Sequence, residues 1–234
     1  MRDRADTIDR LVNERLTTLP KQLMRREGID IWVLVAREYN EDPVVMTMLP
    51  GTAHSARRRT ILVFVDEGDL GVKGYAVARY PVGNFFAARW NPDEEPDQWR
   101  ALAQLIEEKN PDTIGINVSS DFALADGLSH GEYLGLVDAL STEQKSKIVS
   151  AERLAVAWLE TRTESEMEIY PSIVEVAHNI IAEGFSETVI EPERTTTQDV
   201  QWWYRERVRE LHLQVWFHPS VTFQRNGETG DLQG

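Results

Sequence analysis

The chain has 234 residues, 25 lysines and arginines against 39 aspartates and glutamates, no cysteine and 41% hydrophobic residues, which excludes disordered, collagenous and disulfide-stapled classes and predicts one or two globular domains. A net charge of −14 repels phosphate backbones and anionic lipid, so neither a nucleic-acid nor a membrane partner is expected. The lack of cysteine removes thiolate chemistry, and with no apolar leader after MRDRADTIDR and no run near ~20 apolar residues, a cytoplasmic location is the expectation.

Residues 3–27 carry a helical period through Ile8, Leu11, Val12, Leu16, Leu19 and Leu23, interrupted at Pro20 and stopped by Gly28. Ile29–Val35 and Thr60–Val65 are continuous apolar runs, the pattern of strands buried on both faces of a helix-covered sheet. Arg57, Arg58 and Arg59 lead into the second run and read as its solvated entrance. Val72–Tyr80 is a weaker strand that pairs back through a turn at Glu67, Gly68 and Asp69. The acidic stretch Asn91–Asp97 precedes a helix with Trp99, Leu102, Ala103 and Ile106 on one face, ending near Asn110–Pro111, and Asp112–Val118 is the next strand. This order predicts a compact α/β domain over residues 1–160.

Ser129–Leu140 reads as a helix and Lys147–Leu159 as a strand leading into a helix. Beyond residue 160, Thr163 with Glu166 three positions on resembles a helix start, followed by Ile169, Ile173, Val176, Ala177, Ile180 and Ile181 at helical spacing, closed by Gly184. Pro171 inside that pattern predicts a kink or a late start. A second helix over Thr195–Leu211 has Thr196 as its cap, Asp199 three residues on, and Val200, Trp203, Tyr204, Val208 and Leu211 toward a core. Gln214–Arg225 alternates like a strand broken at Pro219, and the polar tail Asn226–Gly234 has no period.

Candidate chemistry is sparse. Gly127-Leu128-Ser129-His130-Gly131 matches the G-x-S-x-G pattern of serine hydrolases, but FALAD before it is no β run, and Ser129 with Glu132 three residues on reads as a helix capping box instead. None of His54, His130, His178, His212 and His218 has a metal partner at H-E-x-x-H spacing. His178 reads as a flank residue, and His212 follows a helix end whose dipole suits its proton. His218, in WFHPSV, is either an edge-strand histidine or a side chain re-aimed into a pocket by the bulge that Pro219 marks.

The segments TESEMEI, VEVAHNIIAEGF, TTTQDVQWW and VWFHPSVTFQR, in that order over Thr163–Arg225, resemble the start of the pita-bread catalytic domain of creatinase, prolidase and aminopeptidase P. INVSSDFALADGLSHGEY and SAERLAVAWLETRT resemble the smaller N-terminal domain of the same proteins. The resemblance implies an α/β fold, a creatinase-type N-terminal domain over 1–160 followed over 161–234 by the truncated start of an α+β pita-bread domain. It implies a metallopeptidase of the Xaa-Pro aminopeptidase or prolidase type, a peptide substrate and a homodimer. Two divalent ions (manganese, cobalt or zinc), held by two Asp, one His and two Glu, would activate a water against a peptide bond near the amino terminus. His218 matches the family's early histidine, which contacts substrate and assists proton transfer without binding metal. The ligand set would follow the HPSV segment, where only Glu228 and Asp231 are available. The chain is therefore expected to hold no metal alone and to be catalytically incomplete. The alternative is a non-catalytic interaction or oligomerisation protein built on the same N-terminal domain.

Overall fold

The structure, a computed structural model, describes residues 1–224 and 227. The chain divides into two compact units, Met1–Thr163 and Glu164–Gly234.

The first unit is built on β1 (Ile31–Arg37), β2 (Arg59–Asp66), β3 (Val72–Ala76), β4 (Phe86–Ala88), β5 (Ile114–Ile116) and β6 (Ile148–Ser150), in the spatial order β4-β3-β2-β1-β5-β6. The pairs β1–β2 and β2–β3 are antiparallel, and β1–β5, β5–β6 and β3–β4 are parallel. Successive residues of a strand point to opposite faces. In β1, Trp32, Leu34 and Ala36 join one buried cluster and Ile31, Val33 and Val35 the other. That division explains why these strands are unbroken apolar runs.

Helices cover both faces. On one lie α1 (Arg2–Glu27), the short α2 (Pro43–Met46) and α6 (Glu152–Glu160), which bring Leu19, Leu23, Val45, Leu154 and Trp158 onto Trp32 and Phe64. On the other, α3 (Gln98–Lys109) and α4 (His130–Ala139) bring Leu102, Ile106 and Leu136 onto Val33, Ile61 and Val63. The one-turn α5 (Thr142–Ser146) has a full capping box between Ser141 and Gln144 and leads into β6. The expected α/β architecture and the strand-to-helix segment after Lys147 are both present.

Helix ends follow local chemistry. Gly28 takes a left-handed φ of 66° and closes α1, a conformation that glycine adopts without a Cβ penalty. Pro20 does not interrupt α1, which is continuous over 26 residues. Asp42 caps α2 ahead of Pro43, its Oδ1 accepting from the amides of Val44 (2.7 Å) and Val45 (3.1 Å).

The second unit holds α7 (Glu164–Gly184) and α8 (Thr197–Glu210). Its core is small: Ile180, Val200, Tyr204 and Val221, with Ile190 and Trp203 partly buried against them. Gly184 lets the helices approach, because a Cβ there would meet the Tyr204 ring. The Tyr204 hydroxyl donates to the Ile181 carbonyl at 3.2 Å. Thr196 and Asp199 form the predicted capping box of α8.

Three expectations fail in this unit. The helix α7 begins at Glu164 and runs through Pro171, so the late start is corrected. The carbonyl that Pro171 leaves without a donor is that of Met167, a residue 53% exposed, where water can substitute. Of the apolar stripe on α7 only Ile180 is buried, while Ile173, Val176 and Ile181 are exposed, as is Leu211 after α8. Over residues 214–224 the predicted strand is reduced to a single bridge position at Phe223, and the Val221 carbonyl accepts from Gln201 Nε2 at 3.3 Å. Apart from Gly227, the predicted polar tail Asn226–Gly234 lies outside the described residues. Among the described residues, no helix is long and apolar enough to cross a membrane.

Candidate functional site

After α8 the chain turns at His212, whose φ of 54° is left-handed and whose amide donates to the Arg209 carbonyl at 3.0 Å. The following segment returns beside the helices and closes one side of a groove of about 690 Å³. Ile173, Val176 and Ile181 of α7, Tyr204 of α8, and Phe217 and Val221 line it. Its wall is almost wholly apolar, and Phe217 keeps 74% of its surface exposed. Hydrophobic surface of this kind marks a place where another surface belongs.

His218 is exposed, and its neighbours Phe217 and Pro219 line the groove while it does not. The segment contributes runs of adjacent residues to the groove, Leu213–Val215 and Pro219–Val221, rather than alternate ones.

The metal chemistry implied by the resemblance needs two Asp, one His and two Glu around two cations. Among the described residues no group of three or more His, Asp or Glu side chains could hold a metal ion. His178 is exposed on α7 and His130 opens α4, each apart from such a cluster. Glu228 and Asp231 lie outside the described residues. The donors among the described residues do not fit two metal ions.

Ser129 sits in the first unit at the start of α4, with extended backbone angles (φ −61°, ψ 150°) and no capping hydrogen bond from its side chain. The segment before it contains a 3₁₀ turn, Ala123–Ala125, in place of the strand a nucleophile elbow needs. The expected Ser129–Glu132 capping box is absent as well. Glu132 turns away and is buried against Arg59, whose guanidinium it binds, with Arg37 at 3.9 Å. A full cationic partner outcompetes one backbone amide for a buried carboxylate.

Sequence reading missed a buried polar chain beside this turn. Trp32 Nε1 donates to Asn117 Oδ1 at 2.8 Å, and Asn117 Nδ2 donates to Asp42 Oδ2 at 2.8 Å. Burial holds the Asp42 carboxyl above its ordinary range, against the hydrogen bonds from Asn117, Val45 and Val44 that favour its charge. A Cβ at Gly127 would collide with this carboxyl, so the glycine of the apparent hydrolase motif is there for packing. The local signal was legible: Asp followed by Pro is a helix cap followed by a first-turn proline.

The sequence matches no family model and no curated protein. Solved structures do match. An Xaa-Pro dipeptidase from Bacillus anthracis superposes with a TM-score of 0.50 at 13% identity, over 87% of this chain and 49% of its own. An X-Pro aminopeptidase from Thermotoga maritima MSB8 gives a TM-score of 0.51 at 14% identity, over 81% of this chain and 49% of its own. The chain spans about half the length of each, and at such identities the likeness is one of fold. The chain accordingly has the α/β fold of the pita-bread Xaa-Pro peptidase structures over about half their length, the extent expected of an N-terminal portion.

Proposed function

We propose that this chain is the N-terminal portion of a metallopeptidase that hydrolyses the peptide bond before proline at a substrate's amino terminus. The supporting observation is the fold shared with two Xaa-Pro peptidases over most of this chain and half of theirs. In this reading the ligands for the two divalent ions belong to sequence outside the 234 residues. The exposed apolar stripe of α7 and the groove beside it are surface that the remainder of a catalytic domain would cover. His218 is the residue of this chain assigned to substrate contact and proton transfer, and a homodimer is its working assembly.

A second reading is favoured by the first unit, which closes a core on both faces of its sheet from its own residues. Such a unit can serve as a non-catalytic oligomerisation module. The two readings separate by metal analysis and peptide assay on the 234-residue chain and on the chain extended by the reading frame that follows Gly234. The peptidase reading expects no stoichiometric manganese, cobalt or zinc and no turnover from the chain alone. It expects two metal equivalents and Xaa-Pro turnover from the extended protein, with His218→Ala lowering kcat about 10²-fold or more. An extended protein that binds no metal and cleaves no Xaa-Pro peptide refutes it and leaves the module.

A further inference from the structure

At the end of the sheet where β1 leaves and β2 enters, Arg37, Arg57, Arg58, Arg59 and Arg79 converge on one concavity of about 820 Å³. The topology gathers them from three chain segments. Arg37 ends β1 and pairs across the ladder with Arg59, the first residue of β2, while Arg57 and Arg58 precede that strand and Arg79 follows β3. The expected solvated strand entrance is thus one wall of a basic pocket, in a chain whose net charge is −14.

Two of the five cations are engaged. Glu132 is bound to Arg59 and lies near Arg37, and Arg59 stacks over the Trp99 ring at 4.6 Å. Arg57, Arg58 and Arg79 have no carboxylate on their guanidinium groups among the described residues. Their backbone is nevertheless held. The Arg57 amide donates to Thr60 Oγ1 at 3.2 Å, the Arg58 amide to Glu38 Oε2 at 3.2 Å, and the Glu38 amide to the Arg58 carbonyl at 2.7 Å. Arg58 takes a left-handed φ of 50° in that loop, a conformation costly for a side chain of this size. Counting Glu38 and Glu132 against five guanidiniums, the concavity stays strongly positive.

A guanidinium fork pairs with phosphate oxygens in bidentate fashion. Three free forks in one concavity match successive oxyanions, whereas a single carboxylate would occupy one. Tyr80, 71% exposed, and Trp90, half-buried, line the same space and offer ring faces. The size falls in the ~300–1,000 Å³ range of small-molecule sites, and the acidic remainder of the chain opposes a long polyanion. We infer that this concavity binds a phosphoanhydride chain, free or carried by a nucleotide, through Arg57, Arg58 and Arg79. The inference is independent of the peptidase reading.

The test is calorimetric titration of the 234-residue chain with tripolyphosphate, ATP, citrate and a single-stranded RNA oligonucleotide. Arg57→Ala, Arg79→Ala and, as a control on α1, Arg10→Ala are titrated alongside. One site for tripolyphosphate is expected, weakened about tenfold or more in Arg57→Ala and in Arg79→Ala and unchanged in Arg10→Ala. Both pocket arginines are exposed, and circular dichroism verifies that their variants fold. Tighter binding of ATP than tripolyphosphate, with the difference abolished by Tyr80→Ala, identifies a nucleotide; equal binding identifies the inorganic chain. The inference is overturned by no binding, by equal loss in Arg10→Ala, by citrate binding as tightly as tripolyphosphate, or by RNA binding more tightly than either phosphate ligand.

Discussion

Replacing Trp158 by alanine should bring the first unit close to unfolding. Its side chain is fully buried, edge-on to Trp32 at 6.3 Å between ring centroids and 6.4 Å from Phe64. Its Nε1 donates to Thr47 Oγ1 at 2.8 Å, and the Arg15 guanidinium lies 4.7 Å over the ring. Arg15 also donates to the carbonyls of Trp158 and Thr161, so the same side chain joins α1 to the C-terminal end of α6. Truncating a buried tryptophan to alanine costs about 3–5 kcal/mol through lost transfer energy and the cavity. The lost hydrogen bond adds up to about 1 kcal/mol, the lower part of that range applying because the Thr47 hydroxyl keeps its bond to the Val44 carbonyl. A total of about 3–6 kcal/mol compares with about 5–15 kcal/mol for a whole domain. Trp158→Phe keeps most of the ring contacts and should cost about 1–2 kcal/mol. Urea denaturation followed by far-ultraviolet circular dichroism measures both, because that signal does not depend on the tryptophan removed. A loss below about 2 kcal/mol for Trp158→Ala, or equal losses for the two variants, would show that α6 is not held to the sheet through this ring.

Ser129→Ala should change stability by less than about 0.5 kcal/mol, since the hydroxyl makes no cap, whereas Thr196→Ala should cost about 0.5–2 kcal/mol of the second unit's stability; thermal melts compare them, and labelling of Ser129 by a fluorophosphonate would revive the hydrolase. The raised Asp42 carboxyl makes the native state bind its proton more tightly than the unfolded chain does. Its contribution to stability is therefore most favourable below the ordinary value of 3.8 and declines as pH rises through the raised one. Asp66, which Arg25 holds below the ordinary range, acts with the opposite sign, its contribution being lost as pH falls through the lowered value. Asp42→Asn, which sets an amide donor against Asn117 Nδ2, should destabilise the unit while removing the first dependence and leaving the second. Stability profiles of both proteins from pH 3 to 8 that remain parallel would contradict this. Limited proteolysis should cut between about Leu159 and Glu193 and release a stable fragment of residues 1 to about 160; uniformly slow hydrogen exchange over both units in a monomer would refute that weakness in the second.

The sequence alone determined the elements whose signals are local. Ile31–Val35 and Ile61–Val65 are strands because apolar side chains on both faces suit only a covered sheet, and Gly28 and the Thr196–Asp199 pair end and begin helices through bonds that span at most a few residues. The family resemblance was readable too, since it lies in the order of segments and matches the fold of the two peptidase structures. Tertiary structure decided where a local preference met a stronger distant partner or lacked one. Glu132 left its capping box for Arg59, 73 positions away, because burial makes a carboxylate need a cation. The 214–224 segment had the alternation of a strand and makes one bridge position, at Phe223, and the stripe on α7 had the period of a core face and little core to enter. The arginine pocket was invisible for the same reason: Arg37, Arg57, Arg58, Arg59 and Arg79 become neighbours only through the antiparallel register of β1 on β2 and the return of β3. Charge acts through space, and sequence order records only the part of that space that lies along the chain.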